Sequence, residues 1–268
     1  MTGQSYTSLP QLPAAFEWID QPWGPALRCR PLAAYAPHLF TTRQLDLSSP
    51  AQVRELAAAV DARAVAMVRQ LHGRDVAVVR QGSSVGGPRP EADVQISDSA
   101  DVAIAVRAAD CVPLLMADRT RGVVSAVHAG WRGTAARAAV AAVEAMAREF
   151  GTRPVDLVAA IGPSIGACCY EVGTDLVDAF AAAGHERYLI DRWFRLRPQR
   201  GSRQRAPLTL DVAGANVDQL ILAGVPAEQI YSSRLCTAMH LDVFTSYRRE
   251  KEKAGRIAGI IRARGVSP

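Results

Sequence analysis

The stretch VVSAVHAGWRGTAARAAVAAVEAMAREF, residues 123–150, joins two kinds of sequence pattern. Its first part is a short apolar run with β-branched residues, which is typical of a buried strand. Its alanine-rich part predicts a helix over residues 134–150, which ends before Gly151 and Pro154. A histidine, His128, therefore stands at the end of a predicted buried strand, directly before Gly-Trp-Arg-Gly.

The chain on both sides of this stretch carries further strand and helix signals. Upstream, ADVQIS, DVAIAVRAADC and PLLMAD are predicted strands, and the polar turn DRTRG joins the last of them to GVVSAVHAG. Two β-rich segments around HGRD predict a hairpin with His72 at its turn, and Ser49 before Pro50 marks the start of a first helix. Downstream, strand DLVAAIG precedes helix TDLVDAFAAAG, and strand LTL precedes a helix with Asp211 as N-cap, followed by strand QIYSSRL.

Interspersed strands and helices with several hairpins predict an α+β fold. We expect a single domain over residues 1–268, with mixed, largely antiparallel β-sheets flanked by helices. The segment richest in glycine and proline, QGSSVGGPRPEAD at 81–93, is short enough to be a loop within one domain. Because 49% of the 268 residues are hydrophobic, the chain can bury a full core.

Composition excludes several classes of protein. No apolar run reaches the ~18 residues that a membrane-spanning helix needs, and the N-terminal stretch lacks the basic and apolar regions of a secretory signal. The chain has five cysteines, an odd number, which favours reduced thiols over a disulfide framework. These features predict a cytoplasmic protein with no membrane partner.

The net charge of +5 comes almost wholly from arginine. Its most concentrated run, RWFRLRPQRGSRQR at 192–205, is predicted to be a solvated loop without secondary structure that is dispensable for chemistry. Contact with an anionic substrate, an RNA or a partner subunit is the alternative. Nucleic acid is therefore not an expected partner, and the oligomeric state stays open.

Three side chains that suit a soft metal stand at the ends of apolar strands: His72, Cys111 and His128. Two imidazole nitrogens and one thiolate would leave a fourth tetrahedral position for water or substrate, as catalytic zinc requires. Their spacing matches no local metal motif. Buried structural histidines and an inert core thiol therefore remain an alternative interpretation.

Two glycine-rich turns are candidate parts of the same site. In GWRGT the glycines allow close approach of a ligand to Trp131 and Arg132, and a helix start at Thr134 would favour phosphate. The alternative is a strand-to-helix turn whose tryptophan packs on the core. The second turn, IGPSIGACCYEVG, carries adjacent Cys168 and Cys169 and is predicted to be a structural loop that narrows the pocket.

Several motifs in this order resemble the laccase-domain family: QLHGRDV, ADCVPLLMAD, HAGWRGTAARA, IGPSIGACCYEVG, LDVAGANVDQL, LCT and FTSYRRE. That family is also called multicopper polyphenol oxidase-like, peptidoglycan editing factor and bacterial-type purine nucleoside phosphorylase. The resemblance implies a zinc site at His72, Cys111 and His128. It also implies purine nucleosides and phosphate as small-molecule partners. The implied reactions are phosphorolysis of adenosine, inosine or methylthioadenosine to free base and ribose 1-phosphate, and deamination of adenosine.

On this interpretation Cys111, His128 and Asp110 are the predicted catalytic residues, and Arg43, Arg132 and Arg248 the predicted substrate-binding residues. Two departures from the family pattern bear on the prediction. HLFTTRQLDLSS keeps Arg43 but lacks the family's glycine loop, which weakens its predicted substrate contact. LCTAMHLDVF lacks the second cysteine that often follows LCT, which weakens a further metal role for Cys236.

Other functions remain open at this point. Five histidines are too few for a four-copper laccase, but a single Cu²⁺ in place of Zn²⁺ would make a copper-dependent polyphenol oxidase the alternative, since affinity alone favours copper. A cysteine hydrolase or peptidoglycan editing factor would use Cys111 and His128 as a pair. A non-enzymatic binding protein would use the arginine-rich run. The metal-dependent transferase and hydrolase chemistry of purine nucleosides is the preferred prediction.

Overall fold

The computed structural model describes residues 9–45, 47–197 and 206–265. The strands are β1 Phe16–Gln21, β2 Gly24–Cys29, β3 His38–Phe40, β4 Ala64–Met67, β5 Val76–Val79, β6 Val94–Ser97, β7 Val102–Ala108, β8 Val112–Asp118, β9 Val124–Ala129, β10 Leu157–Ile161, β11 Phe194–Leu196, β12 Leu208–Leu210, β13 Ile230–Ser232 and β14 Ile257–Ile261. The α-helices are α1 Arg30–Ala33, α2 Pro50–Ala58, α3 Trp131–Ala135, α4 Ala138–Phe150, α5 Thr174–Ala182, α6 Arg187–Trp193, α7 Val212–Leu222 and α8 Tyr247–Glu250. Within these ranges no helix has the length and apolar character needed to span a bilayer.

Two six-stranded sheets form the centre of the molecule. The strand order is β1-β2-β3-β14-β7-β4 in the first sheet and β13-β10-β8-β9-β6-β5 in the second, and β11 pairs with β12. Among the described strands the pairs β4–β7, β5–β6 and β10–β13 are parallel, and the other pairs are antiparallel. The predicted α+β class with mixed, largely antiparallel sheets and flanking helices is confirmed.

The sheets pack face to face, so the central strands are buried on both sides. In β8, Leu115 and Ala117 belong to the core between the sheets, whereas Leu114 and Met116 belong to the core under the helices. This division follows from the alternation of side chains along a strand. Helix α4 covers the outer face of the second sheet, α7 packs on α4, and α2 lies against β4 of the first sheet. Strands with two buried faces explain the continuous apolar runs in the sequence.

The hairpin predicted around HGRD is wrong. Strand β4 pairs with β7 in the first sheet, whereas β5 pairs with β6 in the second. The chain between Met67 and Val76 therefore crosses from one sheet to the other, and His72 lies in this crossover with a φ of 64°. Local β propensity indicates two strands but contains no information about their partners.

The single helix predicted over residues 134–150 is in fact two helices. Helix α3 begins at Trp131, and α4 begins after Arg137, whose φ of 61° is left-handed. The Arg137 guanidinium donates hydrogen bonds to two carbonyl groups just after α5, and these bonds hold this unfavourable backbone conformation in place. Alanine is a good helix former on both sides of the break, so helix propensity gives no sign of it. The predicted end at Gly151 is confirmed.

Two predicted helix starts are confirmed by their caps. The Ser49 hydroxyl accepts a hydrogen bond from the Gln52 amide at the start of α2, with Pro50 as first helical residue. The Asp211 carboxylate likewise accepts a hydrogen bond from the Gly214 amide at the start of α7. Such side-chain bonds satisfy amides that the first turn leaves without a partner.

The prediction that the arginine-rich run lacks secondary structure is wrong for residues 192–196. They complete α6 and form β11, because Trp193 is buried in the core and donates its indole N–H to Asp218 at 2.9 Å. Residues 198–205 of this run lie outside the described residues.

Candidate active site

The three predicted ligands meet at one edge of the two-sheet core. His72 lies in the β4–β5 crossover, Cys111 directly precedes β8, and His128 lies one residue before the end of β9. Strands β8 and β9 pair so that Pro113 faces His128, which puts Cys111 opposite Gly130. The ligand atoms of the two histidines and the cysteine all lie within 4.8 Å of one another. Residues as far apart in sequence as His72 and His128 thus form one cluster.

A buried aspartate, Asp93, organises this cluster, and the sequence analysis missed it. One of its carboxylate oxygens lies 2.8 Å from Nδ1 of His128. The same carboxylate accepts hydrogen bonds from the backbone amides of Leu71, His72 and Gly73 at 2.7–3.0 Å. Asp93 therefore orients the His128 ring and also holds the loop that carries His72. Its position just before β6 resembles many loop aspartates, so no sequence signal distinguished it.

The protonation states of the cluster depend on one another. Burial opposes ionisation of the Cys111 thiol, but hydrogen bonds with His128 and His72 outweigh it and lower the pKa of Cys111 to about 6. Burial also opposes a charged His128, but Asp93 and Cys111 raise the pKa of His128 to about 9. The same contact with His128, together with the Gly73 amide, lowers the pKa of Asp93 despite its burial. The geometry thus stabilises a thiolate at Cys111.

The HAGWRG turn brings its backbone very close to the ligands. A Cβ atom at Gly130 would lie 2.7 Å from Sγ of Cys111 and 3.2 Å from the His72 ring. A side chain at this position would therefore displace two of the three ligands. The predicted helix start at Thr134 is wrong, because the Thr134 amide already donates to the Gly130 carbonyl within the turn that begins α3. Trp131 packs against the core, as the alternative interpretation of this turn expected.

The cluster opens into a cavity of about 1110 Å³ whose charged lining is mainly cationic. Asp110 is the only carboxylate among the described residues that line it, and the basic residues are Arg69, Arg89, Arg107, Arg132, Arg248, Lys251 and Arg256. Burial and the like charges of Arg89 and Arg256 lower the pKa of Arg107. Within the described part of the chain, no carboxylate or carbonyl accepts a hydrogen bond from the guanidinium groups of Arg89 and Arg107. The cavity can therefore receive an anion.

Two of the three predicted substrate-binding arginines line this cavity. The Arg132 guanidinium stacks over the Trp131 ring at 4.3 Å, and that of Arg248 lies 5.1 Å from the Tyr170 ring centre. Arg43 does not belong to the lining. Its guanidinium pairs with Glu250 at 2.9 Å and also donates to the Leu241 carbonyl.

Asp110 lines the cavity beside Cys111, but both of its carboxylate oxygens accept hydrogen bonds. Thr237 donates its hydroxyl at 2.6 Å, and the Arg248 backbone amide donates at 2.6 Å. Its φ of 84° is left-handed, which marks a constrained backbone at the end of β7. These bonds join three separate segments at the cavity wall, so they suit a positioning residue more than a free acid or base.

The donor set of the cluster fits a metal ion. Two imidazoles and a thiolate suit a soft or borderline divalent cation and leave one tetrahedral position open. The Asp93–His128 bond is the carboxylate contact that usually fixes the tautomer of a metal-binding histidine. With Nδ1 turned to Asp93, His128 would bind the metal through Nε2.

Together the fold and the site define a class: an α+β protein with a His-Cys-His donor set that opens into a basic cavity. The chain belongs to the family described as multi-copper polyphenol oxidoreductase laccase, whose family model matches residues 42–264. The family resemblance inferred from the sequence motifs is therefore confirmed.

Known relatives of this chain carry different names. A purine nucleoside phosphorylase of Deinococcus radiodurans is 35% identical over 263 residues, which cover 91% of this chain and 94% of that protein. Adenosine deaminase RL5, from an unknown prokaryotic organism, is 35% identical, and the match covers 76% of this chain and 77% of that protein. A purine nucleoside phosphorylase of Bacteroides thetaiotaomicron is 37% identical, but the match spans only 58% of that protein.

A solved structure supports the same fold. YlmD of Geobacillus stearothermophilus matches this chain with a TM-score of 0.77 and 30% sequence identity. The match covers 94% of this chain and 100% of that structure. The arrangement of the two sheets is therefore shared with a relative over nearly the whole molecule.

Proposed function

We propose that this protein is a zinc-dependent enzyme of purine nucleosides, which phosphorolyses adenosine, inosine or methylthioadenosine and deaminates adenosine. The observation that carries the proposal is the His72–Cys111–His128 cluster at the wall of a large cationic cavity. The names of its relatives, purine nucleoside phosphorylase and adenosine deaminase, support the same class of reaction.

A group of neighbouring arginines supports phosphate as a co-substrate. Burial lowers the pKa of Arg107, and the positive charges of Arg89 and Arg256 lower it further. A group of like charges without a carboxylate partner is stabilised by a bound anion. A phosphate dianion at this position would share the cavity with a nucleoside at the metal cluster.

The residues of the chain have distinct roles in this proposal. A zinc ion held by the cluster would supply Lewis acidity and lower the pKa of a bound water. Asp93 holds the Nδ1 proton of His128, so that Nε2 stays directed at the cluster. Arg132 and Arg248 contribute positive charge to the substrate cavity. Asp110 remains a candidate general acid or base, and its two hydrogen bonds favour a positioning role.

A cysteine hydrolase is the second candidate. The lowered pKa of Cys111 and the raised pKa of His128 are the pattern of a thiolate–imidazolium pair. In such an enzyme Cys111 would be the nucleophile and His128 its partner, whereas His72 would have no essential role. Copper-dependent oxidation remains the alternative for the same ligand set.

The experiment measures metal content and the turnover of adenosine with phosphate for the wild type, His72→Ala, Cys111→Ala and His128→Ala. We expect about one zinc per chain and a colourless wild-type protein, and we expect each variant to lose both metal and turnover. Cys29→Ala serves as the control, because Cys29 is a buried cysteine that does not line the cavity.

The alternatives predict different results. Near-normal turnover in His72→Ala, with covalent trapping of Cys111 by an alkylating agent after metal removal, would favour the cysteine hydrolase. A blue protein with stoichiometric copper would favour the oxidase. Omission of phosphate separates the two nucleoside reactions, since deamination of adenosine needs only water.

A further inference from the structure

Three cysteines outside the candidate active site form a second cluster. The Sγ atoms of Cys168, Cys169 and Cys236 all lie within 4.8 Å of one another, and those of Cys168 and Cys169 are 3.7 Å apart. Two sulfurs that bind the same ion at about 2.3 Å are separated by roughly 4 Å. The cluster therefore already has the spacing of a shared thiolate site.

Two chain segments that are distant in sequence build this cluster. Cys168 and Cys169 lie in a hydrogen-bonded turn in which the Cys169 amide donates to the Gly166 carbonyl. Cys236 is held opposite them by a parallel bridge with Ser164, and its Sγ accepts a hydrogen bond from the Gly166 amide at 3.3 Å. This bond and the bridge fix the position of the Cys236 sulfur relative to the turn that carries the other two.

Gly166 allows the sulfurs to approach the backbone. A Cβ atom at this position would lie 3.2 Å from Sγ of Cys168 and 3.6 Å from Sγ of Cys236. Because Cys236 is buried and Cys168 is exposed, the cluster has one anchored end and one end open to solvent. Both line a second cavity of about 820 Å³, through which an ion can reach them.

We propose that Cys168, Cys169 and Cys236 form a metal site, separate from the candidate active site, that binds one Cu(I) ion through three thiolates. Soft thiolate ligands select Cu(I), whereas structural Zn²⁺ is almost always four-coordinate. Within the described residues, no histidine, aspartate or glutamate joins this cluster as a fourth ligand. Binding releases the thiol protons to solvent and changes the oxidation state of neither sulfur nor copper.

The adjacent cysteines Cys168 and Cys169 are poorly placed to form a disulfide bond with each other. The Cα atoms of consecutive residues are about 3.8 Å apart, below the usual range of bridged cysteines. A metal ion needs no such bond, since it accepts both sulfurs at the 3.7 Å separation they already have.

The test titrates fully reduced, metal-free protein with Cu(I), without oxygen, against a chromophoric Cu(I) chelator. Cys111→Ala is the parent for all samples, because it removes the sulfur ligand of the candidate active site. The parent is expected to bind one Cu(I) per chain, with an X-ray absorption spectrum of three sulfur ligands. Cys168→Ser in this parent is expected to lower the affinity more than about 100-fold, since even outer partners of metal ligands contribute 10- to 100-fold.

Cys236 lies in the other segment, and Cys236→Ser is expected to lower the Cu(I) affinity to the same extent. The matched control Cys29→Ala is expected to keep the affinity of the parent. Circular dichroism verifies folding, and Cys168→Ser serves as the primary variant because this residue is exposed. Parent-like affinity in Cys168→Ser, a copper environment dominated by nitrogen, or tighter binding of Zn²⁺ than of Cu(I) would each overturn the proposal. The result is independent of nucleoside turnover, which the parent is not required to have.

Discussion

At the residue scale, Asp93 links parts of the site that are far apart in sequence. Its carboxylate contacts the His128 ring and three backbone amides around His72. Because Asp93 is only 1% exposed, solvent does not compete for these bonds. The His128 ring and the backbone at His72 are therefore held before any metal or substrate binds.

Asp93→Asn is expected to lower metal affinity by about 10- to 100-fold, which is typical for the loss of a histidine's outer carboxylate partner. The asparagine side chain has one neutral acceptor oxygen in place of two charged ones, so the loop that carries His72 should also lose order. Competition with a zinc chelator measures the affinity. Asp178→Asn on exposed α5 is the control, and an unchanged affinity in Asp93→Asn would show that the cluster orients itself without this carboxylate.

Arg107→Gln is expected to raise the KM for phosphate by about 10-fold or more, because a hydrogen bond to a charged group is worth about 1.5–3 kcal/mol. The KM for the nucleoside should change much less, since Arg107 belongs to the group with Arg89 and Arg256 rather than to the metal cluster. Steady-state kinetics with each substrate varied in turn provides the test. Arg54→Gln on α2 is the control, and equal effects on both KM values would contradict a phosphate subsite.

At the element scale, the site lies where the chain passes between the two sheets. His72 is in the passage from β4 to β5, and Cys111 is in the passage from β7 to β8. His128 comes from β9, which pairs with β8. Short connections between rigid strands restrict all three side chains, as a preorganised site requires.

An ion pair joins Arg43 to the short helix α8. Arg43 pairs with Glu250, and Glu250 also accepts hydrogen bonds from the Thr245 hydroxyl and the Ser246 amide. Arg248, in the same short helix, lines the cavity. The sequence predicts substrate contact for Arg43, but its guanidinium contacts α8 instead of lining the cavity, so we expect it to act through α8.

Arg43→Gln is expected to lower kcat/KM several-fold without loss of bound metal, because partly exposed ion pairs contribute about 1 kcal/mol or less. Arg43→Lys keeps the charge and should restore part of the activity. Metal content and kinetics of both variants test this role. A decrease of more than about 100-fold with no rescue by lysine would instead indicate direct contact with substrate.

At the scale of the whole molecule, stability depends on a neutral histidine in the core. The amide of Cys29 donates to Nε2 of His38 at 3.1 Å, and Nδ1 of His38 lies 2.9 Å from the Ala36 carbonyl. Burial lowers the pKa of His38 to about 4, against 6.5 for a free histidine. This ring joins the end of β2 to β3, at the centre of the first sheet.

The folded protein is expected to lose stability as the pH falls from 6.5 to 4. Unfolded chains bind a proton at His38 throughout this window, whereas the folded protein does so only near its lower end, so stability rises with pH. The full effect is a decrease of about 3 kcal/mol in the free energy of unfolding. Urea unfolding at several pH values tests the slope. His38→Gln should reduce it, and an unchanged slope in that variant would assign the acid sensitivity to other groups.

Much of the element content was predictable because it depends on neighbours in sequence. The strands β6 to β10, the caps at Ser49 and Asp211 and the end of α4 at Gly151 follow from apolar periodicity, side-chain capping and the conformational freedom of glycine. The motifs also identified the family and singled out His72, Cys111 and His128 as candidate ligands.

The partners of each element, and therefore the completed sites, were decided by the tertiary structure. No local pattern predicts that β4 and β5 belong to different sheets, because strand pairing depends on packing between distant segments. For the same reason the sequence could not reveal that Asp93 serves both histidines, or that Cys236 lies beside Cys168 and Cys169. The sequence by itself determined which residues can bind a metal; only the folded chain, by bringing distant strand ends within a few ångströms, decided which of them can share one.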